Sequence, residues 1–246
     1  MRNRMKQSIF TITENLPLTE SVFRLKLDGD TSAVTAPGQF VNIRLDGLFL
    51  RRPISVCDCE NGILTLIVKI VGRGTEQMSR MKPGDTLDVL TGLGNGYDVT
   101  KAGDHPLLLG GGVGVPPLYR LAKVLREEGK PVSVVMGFNK KDEVFYEDEF
   151  RALGCDVTVT TADGSYGTKG FVTDALPADY SYFYTCGPEP MLKAVYRATK
   201  TSGQFSFEER MGCGFGGCMG CSCQTVTGTK RICREGPVLV KEELIW

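Results

Sequence analysis

Four cysteines near the C-terminus have a spacing that suits metal chemistry. Cys213, Cys218 and Cys221 form a C-x4-C-x2-C arrangement, and Cys233 completes the set. This is the spacing of a plant-type [2Fe–2S] site, in which each iron takes two thiolates. Glycines flank the thiols, and glycine permits the sharp bends that bring backbone N–H groups close to sulfur. The motif predicts a [2Fe–2S] cluster and a protein that transfers single electrons.

Two other interpretations of these cysteines remain open from the spacing alone. Four thiols can hold a structural zinc ion, although zinc sites usually pair two C-x2–4-C knuckles, and only Cys218 and Cys221 form one here. A disulfide framework is the second alternative. Cys223 is a further thiol near the motif, and we interpret it as a spare rather than a ligand.

Two other segments have residue types that suit phosphate binding. Gly110–Pro117 (GGGVGVPP) follows a short apolar stretch and precedes a helical pattern, where backbone N–H groups and a helix N-terminus can bind a phosphate. Such turns also occur for packing alone. Arg52 and Ser55, three residues apart in Arg52–Ser55 (RPIS), suit one phosphate and a flavin edge. A surface arginine on an edge strand, marked by Pro53, is the alternative.

The N-terminal part of the chain must position the first of these segments. Residues 1–100 contain short β-rich stretches separated by turns, which predict a small antiparallel barrel. The predicted strands are Ile9–Ile12, Val22–Leu27, Phe40–Leu45, Ile63–Val71 and Thr86–Leu90.

Strands and helices alternate in residues 101–210, which predicts a parallel sheet with crossover helices. The predicted strands are Leu107–Leu109, Val132–Met136, Val157–Thr160 and Tyr182–Thr185, and the predicted helices are one after Pro117, Phe145–Leu153, Val172–Leu176 and Pro190–Lys200. Residues 211–246 hold the cysteines. The expected fold is therefore an N-terminal antiparallel β-barrel, a central α/β domain and a C-terminal cluster-binding segment.

Composition narrows the classes of partner. The 246 residues include 29 Lys plus Arg and 29 Asp plus Glu, and this balance argues against nucleic acid or an anionic membrane as the main partner. No stretch approaches the roughly 18 apolar residues of a membrane span. Nine cysteines without an apolar N-terminal signal fit a reducing compartment. We therefore expect a cytoplasmic location.

Several motifs, in this order, resemble those of the ferredoxin–NADP reductase superfamily. They are Arg52–Ser55, Val68–Thr75, Gly110–Pro117, Asp163–Ser165 and Thr185–Pro188. The run from Glu209 to Cys221 narrows the resemblance to electron-transfer subunits of class 1B dihydroorotate dehydrogenases. The likeness covers essentially the whole chain, and its cysteine motif is the most specific part.

This resemblance implies an FAD-binding barrel and an NAD-binding α/β domain. The implied FAD contacts are Arg52, Pro53, Ile54, Ser55, Ile67, Val68, Lys69, Gly74 and Thr75. Gly112, Gly114 and Gly187 are implied on the nicotinamide side. Cys186 is implied near the point of hydride transfer, although a small buried residue is the alternative. The absence of arginine between Val157 and Ser165 favours NAD over NADP.

The resemblance also implies a function and a partner. Electrons from dihydroorotate would pass from the FMN of a catalytic subunit through [2Fe–2S] and FAD to NAD⁺ in pyrimidine biosynthesis. The implied assembly is a heterotetramer with two subunits of each kind. The nearest alternative is the small subunit of a ferredoxin–NADP⁺ oxidoreductase or sulfide dehydrogenase complex. A zinc-stabilised interaction module or redox sensor is an alternative of another class.

Apolar residues around the cysteines predict a docking face for that partner. Phe215 and Met219 lie inside the cysteine loop, and the tail Val238–Trp246 is rich in apolar residues. The alternative is that the tail packs on its own domain.

Overall fold

The first part of the chain forms a closed barrel of six antiparallel strands in the computed structural model, which describes residues 5–246. The strands are β1 (Lys6–Pro17), β2 (Val22–Asp28), β3 (Phe40–Arg44), β4 (Arg52–Glu60), β5 (Ile63–Lys69) and β6 (Thr86–Leu93). Their order is β1-β2-β5-β4-β3-β6, and β6 pairs again with β1. The predicted antiparallel barrel is confirmed.

Alternation along the strands fills the barrel. Leu25 and Leu27 on β2 lie opposite Leu66 and Leu64 on β5, and all four side chains are fully buried. Successive residues of a strand point to opposite faces. The barrel therefore has an apolar interior, while its outer face is free to contact other parts of the chain.

The second part of the chain is a seven-stranded sheet. Nine further strands follow the barrel in the described chain, and all except β13 and β14 belong to this sheet. They are β7 (Pro106–Gly111), β8 (Ser133–Phe138), β9 (Asp156–Thr161), β10 (Thr168–Lys169), β11 (Tyr182–Cys186), β12 (Gly203–Ser206), β13 (Ser222–Thr225), β14 (Gly228–Arg231) and β15 (Val238–Val240). The sheet order is β10-β9-β8-β7-β11-β12-β15, and every pairing is parallel except that of β12 with β15. The predicted parallel sheet is confirmed.

Short helices connect the strands and cover the sheet. They are α1 (Arg73–Ser79), α2 (Pro116–Glu127), α3 (Glu147–Ala152), α4 (Glu189–Ala198) and α5 (Ile232–Glu235). Leu108 of β7 packs in the same apolar cluster as α2, whereas its neighbours Leu107 and Leu109 pack in the cluster that contains α4. Because strand side chains alternate, helices bury both faces of the sheet. Among residues 5–246, no helix is long and apolar enough to cross a membrane.

Several predicted elements have different limits in the structure. The strand predicted at Ile63–Val71 ends at Lys69, because the chain then turns into α1. The helix predicted at Phe145–Leu153 begins at Glu147, because Tyr146 has a left-handed φ of +68°. The next predicted helix, Val172–Leu176, is a 3-10 turn of four residues, Val172–Ala175, in the structure. Both helix predictions extended past a backbone break that side-chain periodicity does not reveal.

The cysteine segment adds an edge strand to the sheet of the α/β domain. After β12 the chain passes through the hairpin β13–β14 and α5, and β15 then pairs antiparallel with β12. Neither β12 nor β15 was predicted from the sequence. Each is only three or four residues long, too short for a pattern of alternation to identify.

Candidate functional site

A cleft of about 530 Å³ opens at the carboxyl ends of the parallel strands. Gly112 lines it after β7, Phe138 at the end of β8, and Pro188 before α4. Lys69 from the barrel and Phe171 from the loop before Val172–Ala175 complete its walls. Ligands of open α/β sheets bind outside the carboxyl ends of the strands. The cleft therefore lies where a nucleotide is expected, with the barrel on one side.

The glycine-rich turn borders this cleft, and its backbone packs very close to that of Cys186 and Gly187. Gly112 has φ of +53°, in the region that favours glycine. A Cβ on Gly114 would lie 2.2 Å from the carbonyl oxygen of Cys186, and one on Gly187 would lie 3.2 Å from the amide nitrogen of Gly111. The structure thus brings the two glycine segments predicted on the nicotinamide side against each other.

Cys186 lies beside the cleft rather than on its surface. Its side chain is 1% exposed, and it is not among the described residues that line the cleft. Burial and the neighbouring Glu208 carboxylate raise the pKa of the Cys186 thiol, while a hydrogen bond with the Ser206 side chain opposes the shift. The group is therefore a neutral thiol at neutral pH, and its burial agrees with the packing alternative considered for it.

Glu208 is an ionisable residue of the cleft that the motifs did not reveal. It keeps access to solvent through the cleft, yet protein surrounds its carboxyl group closely enough that desolvation raises its pKa. Lys69, which lines the same cleft, opposes that shift. Its only sequence signal is position, since it follows β12 directly before the cysteine segment. The cleft therefore contains a carboxyl group whose pKa depends on desolvation by the protein around it and on the charge of Lys69.

On the barrel, Arg52 lies across the loop that begins α1. A Cβ on Gly74 would come within 2.4 Å of Arg52 Nε, so a larger residue at position 74 would displace the Arg52 side chain from its present position. The first N–H groups of a helix have no partner within the helix. The Arg52 guanidinium, which also donates to the carbonyl of Leu50, is thus held near unpaired N–H groups at the start of α1. The predicted residues Arg52 and Gly74 meet at one place.

The hydroxyl group of Thr75 shapes this loop. It accepts hydrogen bonds from the N–H groups of Val71 at 2.9 Å and Gly72 at 3.3 Å, and it donates to the Gly72 carbonyl at 3.0 Å. Its proton is therefore already engaged within the loop. Of the donors expected at Gly74 and Thr75, the backbone N–H groups are the ones left for a ligand.

The remaining predicted flavin residues lie on β4 and β5. Pro53, Ile54 and Ser55 are half-buried, whereas Ile67 and Val68 are buried. The end of β5 also contacts the turn Gly112–Gly114. The barrel residues and the nicotinamide-side glycines thus adjoin each other.

The four cysteines of the motif form two neighbouring pairs. Cys213 interacts with the Cys218 side chain, and Cys233 interacts with the Cys221 side chain. The first pair is accessible, with Cys218 exposed, while Cys221 and Cys233 are each 2% exposed. Burial, the Cys221 side chain and the nearby Cys213 raise the pKa of the Cys233 thiol to about 12. Two thiols for each of two irons is the ligand pattern of a [2Fe–2S] centre.

Backbone N–H groups point at these sulfur atoms. Cys213 Sγ accepts from the N–H of Gly217 at 3.1 Å and of Cys218 at 3.4 Å, and Cys221 Sγ accepts from the N–H of Cys233 at 3.4 Å. Burial raises the pKa of the Cys213 thiol, but hydrogen bonds from the backbone N–H groups of Phe215, Cys218 and Gly217 outweigh it and bring the pKa to about 6. The loop therefore favours thiolate at its first cysteine, which is the form that binds metal.

Other arrangements of the cysteines fit less well. All nine cysteines are free, so the disulfide alternative is wrong. A structural zinc site needs four ligands converging on one point. The paired thiols instead fit a group with two metal atoms.

Cys223 is set apart from the four paired thiols. It lies on β13, is half-buried, and packs with the apolar residues below the loop. Burial raises the pKa of the Cys223 thiol, and Glu209 and Cys221 add to this. A neutral, partly packed thiol is consistent with the prediction that Cys223 is a spare.

The predicted docking face is only partly exposed. Phe215 and Met219 in the cysteine loop are 50% and 53% exposed. In the tail, Val238, Leu239 and Leu244 are buried in the apolar clusters of this chain, and Trp246 makes edge-to-face contacts with Phe205 and Tyr196. Part of the tail therefore packs on its own domain, as the alternative expected, while Val240 and Ile245 remain exposed. The docking role of the loop and the exposed part of the tail stays a prediction.

Comparisons with known proteins agree with this arrangement. The chain is 44% identical over 257 residues to the dihydroorotate dehydrogenase B (NAD(+)), electron transfer subunit of Fusobacterium nucleatum, covering 98% of this chain and 99% of the relative. It is 42% identical to the protein of the same name from Geobacillus sp., again covering 98% and 99%. A solved structure of an NADH-dependent reduced ferredoxin-NADP oxidoreductase matches with a TM-score of 0.88 and 33% identity, covering 97% of this chain and 90% of that one.

Family models match the two parts of the site separately. Residues 108–197 match the oxidoreductase NAD-binding domain, and residues 208–245 match the iron-sulfur cluster binding domain of dihydroorotate dehydrogenase B. The first range contains the glycine turn and Cys186, and the second contains all four paired thiols and Glu208. The chain belongs to the family of dihydroorotate dehydrogenase B electron transfer subunits.

Proposed function

We propose that this chain is the NAD-linked electron-transfer subunit of a dihydroorotate dehydrogenase. It holds FAD on residues 1–100, NAD on residues 101–210 and a [2Fe–2S] cluster on residues 211–246. The observation that carries the proposal is the arrangement of four thiols in two pairs, in which the N–H of Cys218 points at Cys213 Sγ and the N–H of Cys233 points at Cys221 Sγ. These pairs lie in a segment whose last strand joins the sheet that borders the cleft. When bound, the flavin exchanges a hydride with nicotinamide and single electrons with the cluster.

Residues of β4, of β5 and of the start of α1 bind and orient the flavin. Arg52 supplies a permanent positive charge for the pyrophosphate, and the N–H groups at Gly74 and Thr75 lie beside it. Pro53, Ile54, Ser55, Ile67, Val68 and Lys69 border the ring. The close approach of Arg52 to Gly74 supports one shared phosphate site.

The cleft orients the nicotinamide against that flavin. Gly112 leaves open space for the ring on the wall of the cleft. Gly114 and Gly187 let the backbones behind it pack closely, and Cys186 supports the glycine turn from behind as a neutral thiol. The contact between β5 and the turn Gly112–Gly114 supports this juxtaposition. Protein on both sides excludes water from the place where the hydride moves.

The cysteine segment supplies both ligands and stabilisation of charge. Cys213 and Cys218, the more exposed pair, would hold one iron of the cluster, and the buried pair Cys221 and Cys233 would hold the other. N–H groups directed at Cys213 and Cys221 stabilise the thiolates. The buried pair keeps water away on the side toward the sheet, and the exposed pair faces outward.

We infer that the outward side meets an FMN-containing catalytic subunit, in a cytoplasmic heterotetramer with two subunits of each kind. The names of the relatives, which are electron transfer subunits, support a catalytic partner. Exposed Phe215 and Met219 supply apolar contacts beside Cys218, as permanent interfaces require. In this assembly the route serves pyrimidine biosynthesis by carrying electrons from dihydroorotate to NAD⁺.

A second candidate is a subunit of an NADH-dependent reduced ferredoxin-NADP oxidoreductase. It is favoured by the solved structure of that name, which matches nearly the full length of the chain. The two functions share this chain's chemistry and differ in the partner and its electron donor.

Reconstitution with each partner tests the choice. The chain is purified anaerobically and mixed with a dihydroorotate dehydrogenase catalytic subunit, and dihydroorotate-dependent formation of NADH is followed by absorbance. We expect NADH formation only when both subunits are present. Activity with reduced ferredoxin and the large subunit of the other complex, together with none with dihydroorotate, would favour the second candidate.

A further inference from the structure

Strand β3 joins the barrel to the cysteine segment. Val41 and Ile43 point into the barrel interior. The alternating residues Phe40 and Asn42 point outward. Phe40 packs in the apolar cluster that contains Cys221 and Cys233, so this outer face is covered by the cysteine segment.

Asn42 contacts the first cysteine of the motif directly. Its side-chain Nδ2 donates a hydrogen bond of 3.1 Å to the carbonyl oxygen of Cys213. The next residue, Gly214, has φ of +78°, and a Cβ on it would lie 2.3 Å from Asn42 Nδ2. Both the backbone conformation and the space at Gly214 are therefore matched to this contact.

Burial of Asn42 is not explained by packing of the barrel. The residue is 1% exposed, and its Oδ1 atom has no hydrogen-bond partner among the described residues. A buried polar atom without a partner costs free energy. A leucine of similar size would fill the position without that cost, so the bond to Cys213 is the interaction that gives an amide an advantage here.

A second asparagine holds the other end of the segment. Asn95, which follows β6, donates from its backbone N–H to Gly236 at 2.8 Å and from Nδ2 to the carbonyls of Glu235 at 3.2 Å and Val238 at 2.7 Å. Its Oδ1 accepts from the N–H of Val238 at 3.1 Å. These bonds begin two residues after Cys233.

We propose that Asn42 and Asn95 are positioning residues that clamp the cluster segment to the flavin barrel and thereby set the position of the cluster relative to the flavin. This inference rests on the proposed function. Asn42 pairs in register with Pro53 of the flavin motif, so a single side chain links the strand next to the flavin with a ligand of the cluster. Residues that hold metal ligands in place typically change metal affinity or activity by about 10–100-fold when replaced.

The test compares Asn42→Leu with the wild-type chain under anaerobic conditions. Stopped-flow mixing with NADH measures bleaching of the flavin, and rapid freezing with electron paramagnetic resonance (EPR) measures reduction of the cluster by one of the two electrons that NADH supplies. We expect wild-type flavin bleaching, cluster reduction slowed by about tenfold, and altered g-values. A purely structural role of Asn42 would instead lower the melting temperature and leave the g-values unchanged.

Matched variants keep the test decisive. Asn15→Ala removes an asparagine of β1 that also donates to three carbonyls, those of Met78, Ser79 and Met81, and it should retain the wild-type EPR signal and cluster reduction per bound flavin. Asn95→Ala should act in the same direction as Asn42→Leu. Asn42→Ser provides the second replacement if Asn42→Leu does not fold.

The outcomes separate this inference from the proposed function. A wild-type chain that binds FAD but never shows a cluster signal would overturn the proposed function and the clamp with it. A wild-type chain with both cofactors, together with Asn42 and Asn95 variants that match its g-values and cluster reduction rate, would overturn the clamp alone.

Discussion

At the scale of single residues, the surroundings of a cysteine change the pKa of its thiol. Cys186 is enclosed, and burial keeps its thiol neutral. Cys213 is only partly enclosed and receives backbone N–H groups, which bring its pKa to about 6. Environment alone does not separate a proposed ligand from a packing residue, because burial also raises the pKa of the Cys233 thiol to about 12, and the place of each thiol in the motif is needed as well.

The cysteine assignments lead to a first prediction. Replacing Cys213, Cys218, Cys221 or Cys233 by serine should abolish or strongly alter the EPR signal of the reduced chain, because each removes one thiolate. Cys223→Ser is the matched control and should preserve the signal and the iron content. Loss of the cluster in Cys223→Ser with retention in Cys233→Ser would show that the fourth ligand is wrongly assigned.

The phosphate contact assigned to Arg52 leads to a second prediction. Arg52→Ala should weaken FAD binding by about 1.5–3 kcal/mol, the usual contribution of a hydrogen bond to a charged group. Arg44→Ala, at an exposed arginine of β3, should have little effect. Fluorescence of released flavin during dilution measures both. Equal retention in the two variants would remove Arg52 from the phosphate site.

The pKa of Glu208 leads to a third prediction. Desolvation raises this pKa, so the folded carboxyl group stays neutral to a higher pH than an ordinary glutamate and ionises above that. The oxidised nicotinamide ring is positively charged and the reduced ring is neutral. Affinity for NAD⁺ relative to NADH should therefore increase as the pH rises through the raised pKa.

Titration of both affinities against pH checks this expectation. Glu208→Gln should remove the pH dependence, whereas Glu143→Gln, at another acid of the cleft, should retain it. Lys69 also faces the cleft, so its charge is kept in both variants. An unchanged pH profile in Glu208→Gln would contradict the assignment. The raised pKa of Glu208 affects the stability of the fold in the opposite sense. It stabilises the folded chain at low pH, and this contribution to the free energy of unfolding is lost as the pH rises through the raised pKa.

At the scale of elements, the sequence predicts what has a pattern and misses what depends on distant contacts. The barrel strands alternate, and the α/β domain has buried apolar strands, so both were foreseen. α1 was missed because its loop depends on the Thr75 hydroxyl, and β15 was missed because it is defined only by pairing with β12.

The site divides in the same way. Cysteine spacing and glycine turns are local signals, and they predict the thiols and the nicotinamide-side loop. Glu208 and Asn42 carry no motif, because their importance comes from residues far along the chain: Asn42 meets Cys213 across 171 positions. The burial of the tail likewise depends on aromatic contacts with Tyr196 and Phe205.

The cysteine loop, considered as an element, leads to a fourth prediction. Phe215→Glu should weaken assembly with the catalytic partner, because it places a charge in an apolar contact, while NADH should still reduce the flavin. Ile9→Glu, at a similarly exposed apolar residue on the barrel, is the control. Analytical ultracentrifugation measures assembly. Equal assembly of both variants, with the cluster intact, would remove Phe215 from the interface.

At the scale of the whole molecule, the chain is a series of adjoining sites. The barrel borders the cleft through Lys69 and β5, and it borders the cysteine segment through Asn42 and Asn95. The barrel is therefore in contact with both other parts of the site. This arrangement suits a flavin that exchanges a hydride on one side and single electrons on the other.

The central claim is that electrons from the partner reach NAD⁺ only through the cluster. The most direct measurement is dihydroorotate-dependent NADH formation by the complex reconstituted with wild-type, Cys218→Ser or Cys223→Ser chains. We predict NADH formation with the wild-type and Cys223→Ser chains and none with Cys218→Ser, although NADH should still bleach the flavin in all three. Undiminished NADH formation by a Cys218→Ser complex that lacks the cluster would contradict the account.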